Sequence, residues 1–355
     1  MQNYCEIFNA SRIVVVGGAG FVGSNLVKTL LSRSRPAKIT VIDNLLSAER
    51  FNIPEDPRVC FIEGSITNET ILEELSDDVD HLFHLATYHG NQSSIANPLE
   101  DHENNTLTTL KLFNRLRDFK KIRKVVYSSA GCTVAEKTFD TPRPTTEEDP
   151  VSLYLDSPYQ ISKIIGEMYA NYFFMQYGLP VVKARFQNVY GPGEVLGAGR
   201  WRGTPATVWR NVAPTFIYRS LKRMPLLVEN EGKATRDFIY VDDIVNGLLK
   251  CATSGKAGDV YNLAGGAETS ILDLARTINE MTGSTVPVEI GPMRNWDHSG
   301  RRFGCTSKSK DILGFEATVD LRAGLRNTIA WTKENLERID ACIARHDRYM
   351  KVQKQ

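Results

Sequence analysis

Long apolar runs are missing: no stretch approaches the about 18 residues that an ordinary membrane-spanning helix needs, and Met1–Ala10 carries Glu6 instead of an apolar signal core. Neither a membrane span nor a signal peptide is expected. Cysteine is sparse and scattered. Cys5, Cys60, Cys132, Cys251, Cys305 and Cys342 include no C-x-x-C pair, which argues against a metal site or a disulfide framework and suits a reducing cytoplasm. Net charge is nearly absent, with 43 Lys and Arg against 42 Asp and Glu, so nothing points to nucleic acid or an acidic surface as partner. The run Lys120-Lys121-Ile122-Arg123-Lys124 reads as a solvated helix end. Repeats and low-complexity segments are also missing. What remains is an ordinary composition, 42% hydrophobic and 24% charged over 355 residues, enough for one large α/β domain or a core domain with a smaller lobe.

Along the chain, short β-branched runs alternate with helical patterns. Ile13–Val16 reads as a buried strand, Val22–Leu31 as a helix and Lys38–Ile42 as a second strand, which together make a βαβ unit. Val59–Ile62, His81–His84 and Lys124–Tyr127 continue the strands; Glu69–Leu75 and Asn104–Phe119 continue the helices. This alternation predicts an α/β fold, a Rossmann-type doubly wound parallel sheet covered on both faces. The Gly-, Arg- and Trp-rich stretch Gly193–Trp209 reads as a functional loop. After Pro214 helices dominate, with short strands near Leu226–Val228 and Val286–Glu289. The division expected is a cofactor domain over 11–192 and a smaller C-terminal substrate-binding lobe over 193–345, with segments that can return to the sheet. Lys351–Gln355 is expected to fray.

Gly17, Gly20 and Gly23 form G-x-x-G-x-x-G directly after the first strand. One glycine permits the tight turn, one lets the backbone approach a pyrophosphate, and one allows close helix–strand packing. The helix that follows, opening at Phe21 and Val22, offers unpaired N–H groups and a positive dipole end to phosphate. Within a βαβ unit this is a strong dinucleotide signal. Asp43 ends the second strand, where a carboxylate accepts hydrogen bonds from the adenosine ribose and repels a 2′-phosphate, favouring NAD over NADP; a turn-capping aspartate is the alternative. Asn44 adds a second polar group.

Tyr159 and Lys163 stand four apart in a helical run, on one face. A free phenol ionises near pH 10, too high for a base at neutrality, and a neighbouring ammonium stabilises the phenolate. Alone, such a pair is commonly a surface feature; its weight comes from the cofactor fingerprint upstream. Ser128 and Ser129 close the strand Lys124–Tyr127 at the carboxyl edge of the inferred sheet, where ligands bind. One of the two can serve a reacting oxygen while the other satisfies backbone groups in a turn.

These motifs resemble the extended short-chain dehydrogenase/reductase family, in particular its NAD-dependent nucleotide-sugar epimerases and dehydratases. The resemblance runs from about Ile13 to Phe315. It is carried by Gly17–Gly23, Asp43, His84-Leu85-Ala86, Asn105, Ser128-Ser129-Ala130, Tyr159 with Lys163, Arg185-Phe186-Gln187-Asn188-Val189-Tyr190-Gly191-Pro192-Gly193 and Arg236-Asp237-Phe238-Ile239-Tyr240-Val241-Asp242-Asp243. It implies Tyr159 as acid/base, Lys163 as its partner and Ser129 as the active-site hydroxyl. It also implies Leu85, Ala86 and Asn105 beside NAD, with Ser65 and Ile66 at the adenine in place of the family's usual acid. Asn188 and Arg236 are implied at the diphosphate of a nucleoside-diphosphate sugar, and Asn211-Val212 at the base. Arg294, Arg301 and Arg302 are candidates for a further phosphate or sugar contact, a solvated pair at Arg301-Arg302 being the alternative. A homodimer through the Tyr159 helix is implied as well.

The departures bear on the reaction. After the active-site serine, the family's 4,6-dehydratases carry acids; here Ala130-Gly131-Cys132 follow. The expected activity is therefore 4-epimerisation through a transient 4-keto sugar. A 4,6-dehydratase or 4-ketoreductase is the runner-up, and a non-catalytic NAD-binding sensor or scaffold the alternative of a different class. His89 follows the fourth strand, either as a second acid/base or as a hydrogen-bonding loop histidine, and Ser94 in the same loop is a candidate for the sugar or a phosphate. Tyr190, Trp201 and Trp209 read as packing residues or pocket walls. Arg200-Trp201-Arg202 either selects an acidic or substituted sugar or is simply solvated charge.

Overall fold

Runs of buried aliphatic residues, bounded by glycine turns and polar loops, set the strands. The structure, a computed structural model, describes residues 4–131, 134, 138–297 and 300–352. Its strands are β1 (Arg12–Val16), β2 (Lys38–Asp43), β3 (Val59–Glu63), β4 (His81–His84), β5 (Lys124–Ala130), β6 (Val181–Phe186), β7 (Asn188–Tyr190), β8 (Leu226–Val228), β9 (Thr235–Arg236), β10 (Phe238–Tyr240), β11 (Val260–Leu263), β12 (Thr269–Ser270) and β13 (Val288–Ile290). Seven form one sheet in the order β11-β6-β5-β4-β1-β2-β3, with all neighbours parallel. The chain builds outward from β1 to β3, then returns to lay β4 on the other side of β1. That reversal opens a crevice at the carboxyl ends of the strands, the ligand position in doubly wound sheets.

Burial on both sheet faces explains why these strands read as unbroken apolar runs. Ile13, Val15, Val41 and Phe83 pack into one core layer, and Val14, Ile42, Leu82 and Val125 into the other. A third core, around Tyr190, Phe216, Leu226, Tyr240, Leu274 and Leu325, gathers the C-terminal helices and short strands. β11, from the C-terminal half, returns to the edge of the main sheet beside β6.

The helix Pro158–Tyr177 starts with proline in its first turn, is capped by the Ser157 side chain on the Gln160 N–H, and ends at left-handed Gly178. It is fastened to β6 by a buried bidentate pair, Arg185 Nε and Nη2 to the Glu167 carboxylate at 2.8 Å each, with Arg185 Nη1 on the Glu147 carbonyl at 3.0 Å.

Some boundaries differ from the sequence expectation. β5 runs on to Ala130, so Ser128 and Ser129 lie within the strand rather than at its close. The helix expected over Asn104–Phe119 is a π turn, His102–Leu107, followed by an α-helix, Thr108–Leu116. Thr108 and Thr109 hydroxyls donate to the Asn105 carbonyl at 3.1 and 2.7 Å, taking up a backbone acceptor that the regular helix would use. The strand expected near Val286–Glu289 is shifted to Val288–Ile290. Lys351 and Val352 close the helix Asp347–Val352. Cys132, Thr133 and residues 353–355 lie outside the described residues.

Candidate active site

The turn after β1 is shaped by contact rather than by composition alone. Gly17 adopts φ +85°, and a Cβ there would sit 2.4 Å from the Ala86 backbone nitrogen; a Cβ on Gly23 would sit 2.3 Å from the Gly17 carbonyl oxygen. The helix Phe21–Arg33 begins with extended Gly20 and no side-chain cap, leaving its first N–H groups facing the crevice. Asp43 accepts the Ala19 and Leu45 N–H groups at 3.0 and 2.9 Å, so it holds the glycine turn and also walls the cavity. Burial pushes its carboxyl pKa up, and the N–H groups oppose that shift. Asn44, Ser65 and Ile66 line the same end. Asn44 is fixed by bonds to the Leu46 N–H (3.0 Å) and Asn104 (3.3 Å), and Ser65 by Thr67 (2.9 Å).

A single cavity of about 670 Å³ runs from this turn past Leu85 and Ala86 to Asn188, Asn211, Val212, Arg236, Arg294 and Arg302. Tyr159, Lys163 and Ser129 line its middle. Lys163 is buried; its ammonium donates to the Ser128 carbonyl at 2.9 Å and stands 5.9 Å from the Tyr159 ring centroid. The two adjacent serines are divided by strand alternation. Ser128 Oγ donates to the His84 carbonyl at 3.0 Å, whereas buried Ser129 Oγ has no partner among the described residues.

His89 stands edge-on to Tyr159, ring centroids 6.0 Å apart. Its pKa is lowered to about 3 by burial, then by the Arg210, Arg202 and Lys163 charges, so the ring is neutral at physiological pH. At the far end, Arg236 donates to the Thr235 and Gly300 carbonyls at 2.7 and 2.8 Å and pairs with Asp297 at 3.4 Å. Arg294 pairs with Glu229. Arg302 Nε and Nη1 are buried without a partner among the described residues.

Three expected contacts are corrected. Asn105 does not line the cavity: its side chain accepts the Tyr88 N–H at 2.7 Å and donates to Asp101 at 2.8 Å, bracing the loop after β4. Ser94 is fully buried and accepts the Tyr159 N–H at 3.2 Å, so it supports the Tyr159 helix rather than facing a sugar or phosphate. Arg301 pairs bidentately with Glu268 at 2.8 and 2.9 Å, away from the cavity, while its neighbour Arg302 faces in. Trp201 is likewise off the cavity, stacked on Tyr349 at 5.0 Å; Trp209 is a wall and Tyr190 is core. Sequence reasoning missed Thr87, Gln187, Glu194, Arg210 and Trp296 on the walls. Burial raises Glu194 to about 7. The only signal for Glu194 and Arg210 was the Gly/Arg/Trp-rich composition around them.

The glycine cradle, open helix N-terminus and Asp43 fit a dinucleotide with a free ribose 2′-hydroxyl. A profile described as the NAD dependent epimerase/dehydratase family matches residues 13–264. The chain belongs to that family. A putative UDP-glucose 4-epimerase from Methanocaldococcus jannaschii is 29% identical over 324 residues, covering 91% of this chain and 99% of that protein. A UDP-N-acetyl-alpha-D-glucosaminuronate decarboxylase from Bacillus cytotoxicus is also 29% identical, over 334 residues, covering 91% and 98%. Among solved structures, Bordetella bronchiseptica WbmF in complex with NAD+ and UDP is 57% identical, covers 97% of this chain and 98% of that one, and superposes with a TM-score of 0.88. NAD is the cofactor of this NAD-dependent nucleotide-sugar epimerase/dehydratase.

Proposed function

We propose that the protein is a UDP-sugar 4-epimerase that works through a transient 4-keto sugar. The observation that carries this reading is the Tyr159–Lys163 pair at the middle of one cavity, with a pyrophosphate cradle on one side and, on the other, Arg236 and Arg302, whose Nε and Nη1 have no partner among the described residues. The absence of an acid in Ser129-Ala130-Gly131-Cys132 favours epimerisation over dehydration. The UDP complex of WbmF and the M. jannaschii relative support uridine diphosphate as the carrier.

Bound NAD supplies the hydride acceptor and donor. Tyr159 takes the proton from the sugar C4 hydroxyl and later returns it, Lys163 stabilises the phenolate, and Ser129 hydrogen-bonds the same oxygen. Arg236 and Arg302, with Asn188, hold the diphosphate, so the ketosugar can turn about that link and present its other face. Asn211 and Val212 line the base end. A UDP-sugar epimer pair should interconvert without accumulation of reduced cofactor. Steady cofactor reduction or consumption, or a 4-keto-6-deoxy product, would instead assign a ketoreductase or a 4,6-dehydratase.

The assembly we propose is a homodimer in the cytoplasm. Ile161, Met168, Tyr172 and Met175 are each 46–70% exposed and fall on one stripe of the Pro158–Tyr177 helix, an apolar face that a second copy can cover. A monomeric mass by light scattering at micromolar concentration would contradict it.

A further inference from the structure

We infer that the C-terminal helices latch the cavity wall over the cofactor, so that Trp201, His346 and Tyr349 are positioning residues that set how firmly NAD is held without touching it. The inference takes only the cofactor from what precedes and holds whichever sugar reaction is catalysed.

The cofactor end of the cavity has two walls of irregular chain. Leu46, Ser47 and Ala48, just beyond Asp43 and Asn44, line one; Val195 and Ala198 line the other, within residues 191–204, which form neither helix nor strand. The two are stitched together. The Arg200 N–H donates to the Leu46 carbonyl at 3.0 Å, and the Gly199 N–H to the Glu49 carboxylate at 2.9 Å. Arg210 spans the seam, donating to the Ser47 carbonyl at 3.0 Å and to the Ala198 and Val195 carbonyls at 3.1 and 3.4 Å. At Gly199, φ +80°, a Cβ would lie 2.3 Å from the Leu46 carbonyl oxygen, so only glycine allows this approach. At its start the segment is tied to the pyrophosphate helix Phe21–Arg33, where Asn25 Nδ2 donates to the Pro192 carbonyl at 3.0 Å. It therefore bridges the helix that takes the pyrophosphate and the loop that follows the ribose carboxylate.

Irregular segments are the parts of a fold that open most readily. This one is held from outside by the helices Leu336–Ala344 and Asp347–Val352. Leu196 and Ala198 pack with Ile339 and Cys342 in a small core separate from the three larger ones. His346 Nε2 lies 2.9 Å from the Gly197 carbonyl oxygen, and Arg345 pairs with Glu49. Gly197, φ +69°, approaches so closely that a Cβ would lie 2.9 Å from the Cys342 carbonyl carbon. Trp201 stacks on Tyr349, centroids 5.0 Å apart and planes 10° apart. Trp201, Arg345, His346 and Tyr349 all stand outside the cavity lining, so they reach a ligand only through the wall they hold. NAD escapes when the wall opens, whereas hydride transfer takes place while it is shut. Weakening the latch therefore raises the opening frequency, and with it NAD release, and leaves the chemical step alone.

The test is the rate at which NAD-loaded protein releases its cofactor after dilution, read by an excess of an NAD-consuming dehydrogenase. Trp201→Ala and His346→Ala should each release NAD at least tenfold faster than the unmodified protein, and Trp201→Phe, which keeps a stacking ring, should stay close to it. The kcat with NAD in excess and the affinity for UDP by calorimetry should stay within twofold. Folded variants that release NAD at the original rate overturn the inference. So does a loss of kcat or UDP affinity as large as the gain in release, which would mean a general loosening of the site. Amide hydrogen exchange on the unmodified protein decides the matter if the variants do not fold. NAD should slow exchange at 195–201 and at 342–349 together; protection confined to 195–201 overturns the latch.

Discussion

Replacing Lys163 by Met keeps the length of the stem and removes the charge beside the phenol. The ammonium stands 5.9 Å from the Tyr159 ring centroid in a buried setting. At an effective dielectric of about 20, its attraction for a phenolate at that range is on the order of 3 kcal/mol, about a hundredfold in rate. The same substitution leaves the Ser128 carbonyl without its donor, a stability loss of about 1–3 kcal/mol that a melting curve reports separately. The assay is kcat for interconversion of a UDP-sugar epimer pair at neutral pH, on protein with confirmed NAD content and fold. The expected outcome is roughly a hundredfold loss, partly recovered at higher pH, where the phenol ionises without help. A folded, NAD-loaded variant that loses less than about threefold would refute the charge-stabilisation argument.

Arg185→Ala strands the buried Glu167 carboxylate, and denaturant unfolding should show a loss of about 3–5 kcal/mol. Asp43→Ala removes both the acceptor for Ala19 and the repulsion of a 2′-phosphate; NAD retained after gel filtration should fall and discrimination against NADP should narrow. Buried His81 has its pKa lowered to about 4, so its neutral ring contributes stability that is fully present above pH about 6.5 and is lost as pH falls toward 4. His81→Phe has no such titration; relative to the unmodified protein, its unfolding free energy should therefore improve by about 1.4 kcal/mol between pH 7.5 and 5.5. An unchanged difference across that range would remove His81 from the pH response.

What was legible in the sequence was what local geometry dictates. The glycine turn at Gly17–Gly23, the strand that precedes it and the Tyr159–Lys163 spacing each follow from backbone contacts or one helical turn, and each lies where that logic predicts. The arrangement of the sheet followed as well, because unbroken apolar runs imply strands covered on both faces. What was not legible depends on residues distant in the chain. Whether Ser94 faces a ligand is decided by the Tyr159 N–H, 65 positions away, and Arg301 is turned outward by Glu268, 33 positions away. Asn105 looks like a ligand contact in a motif but is used up by the Tyr88 backbone and Asp101. Arg202 sits in a stretch whose charges read equally well as solvated; only the packing around Tyr88 and Asn97 buries it.

The most direct test of C4 chemistry uses a UDP-sugar carrying deuterium at carbon 4, converted in ordinary water and read by mass and NMR. Retention of the deuterium at carbon 4 of the epimer, with none lost to solvent, is the expected result, because the hydrogen leaves and returns as a hydride, which does not exchange with water. An epimer that has exchanged that deuterium for solvent hydrogen, or that keeps it while inverting at another carbon, would contradict 4-epimerisation through a ketosugar.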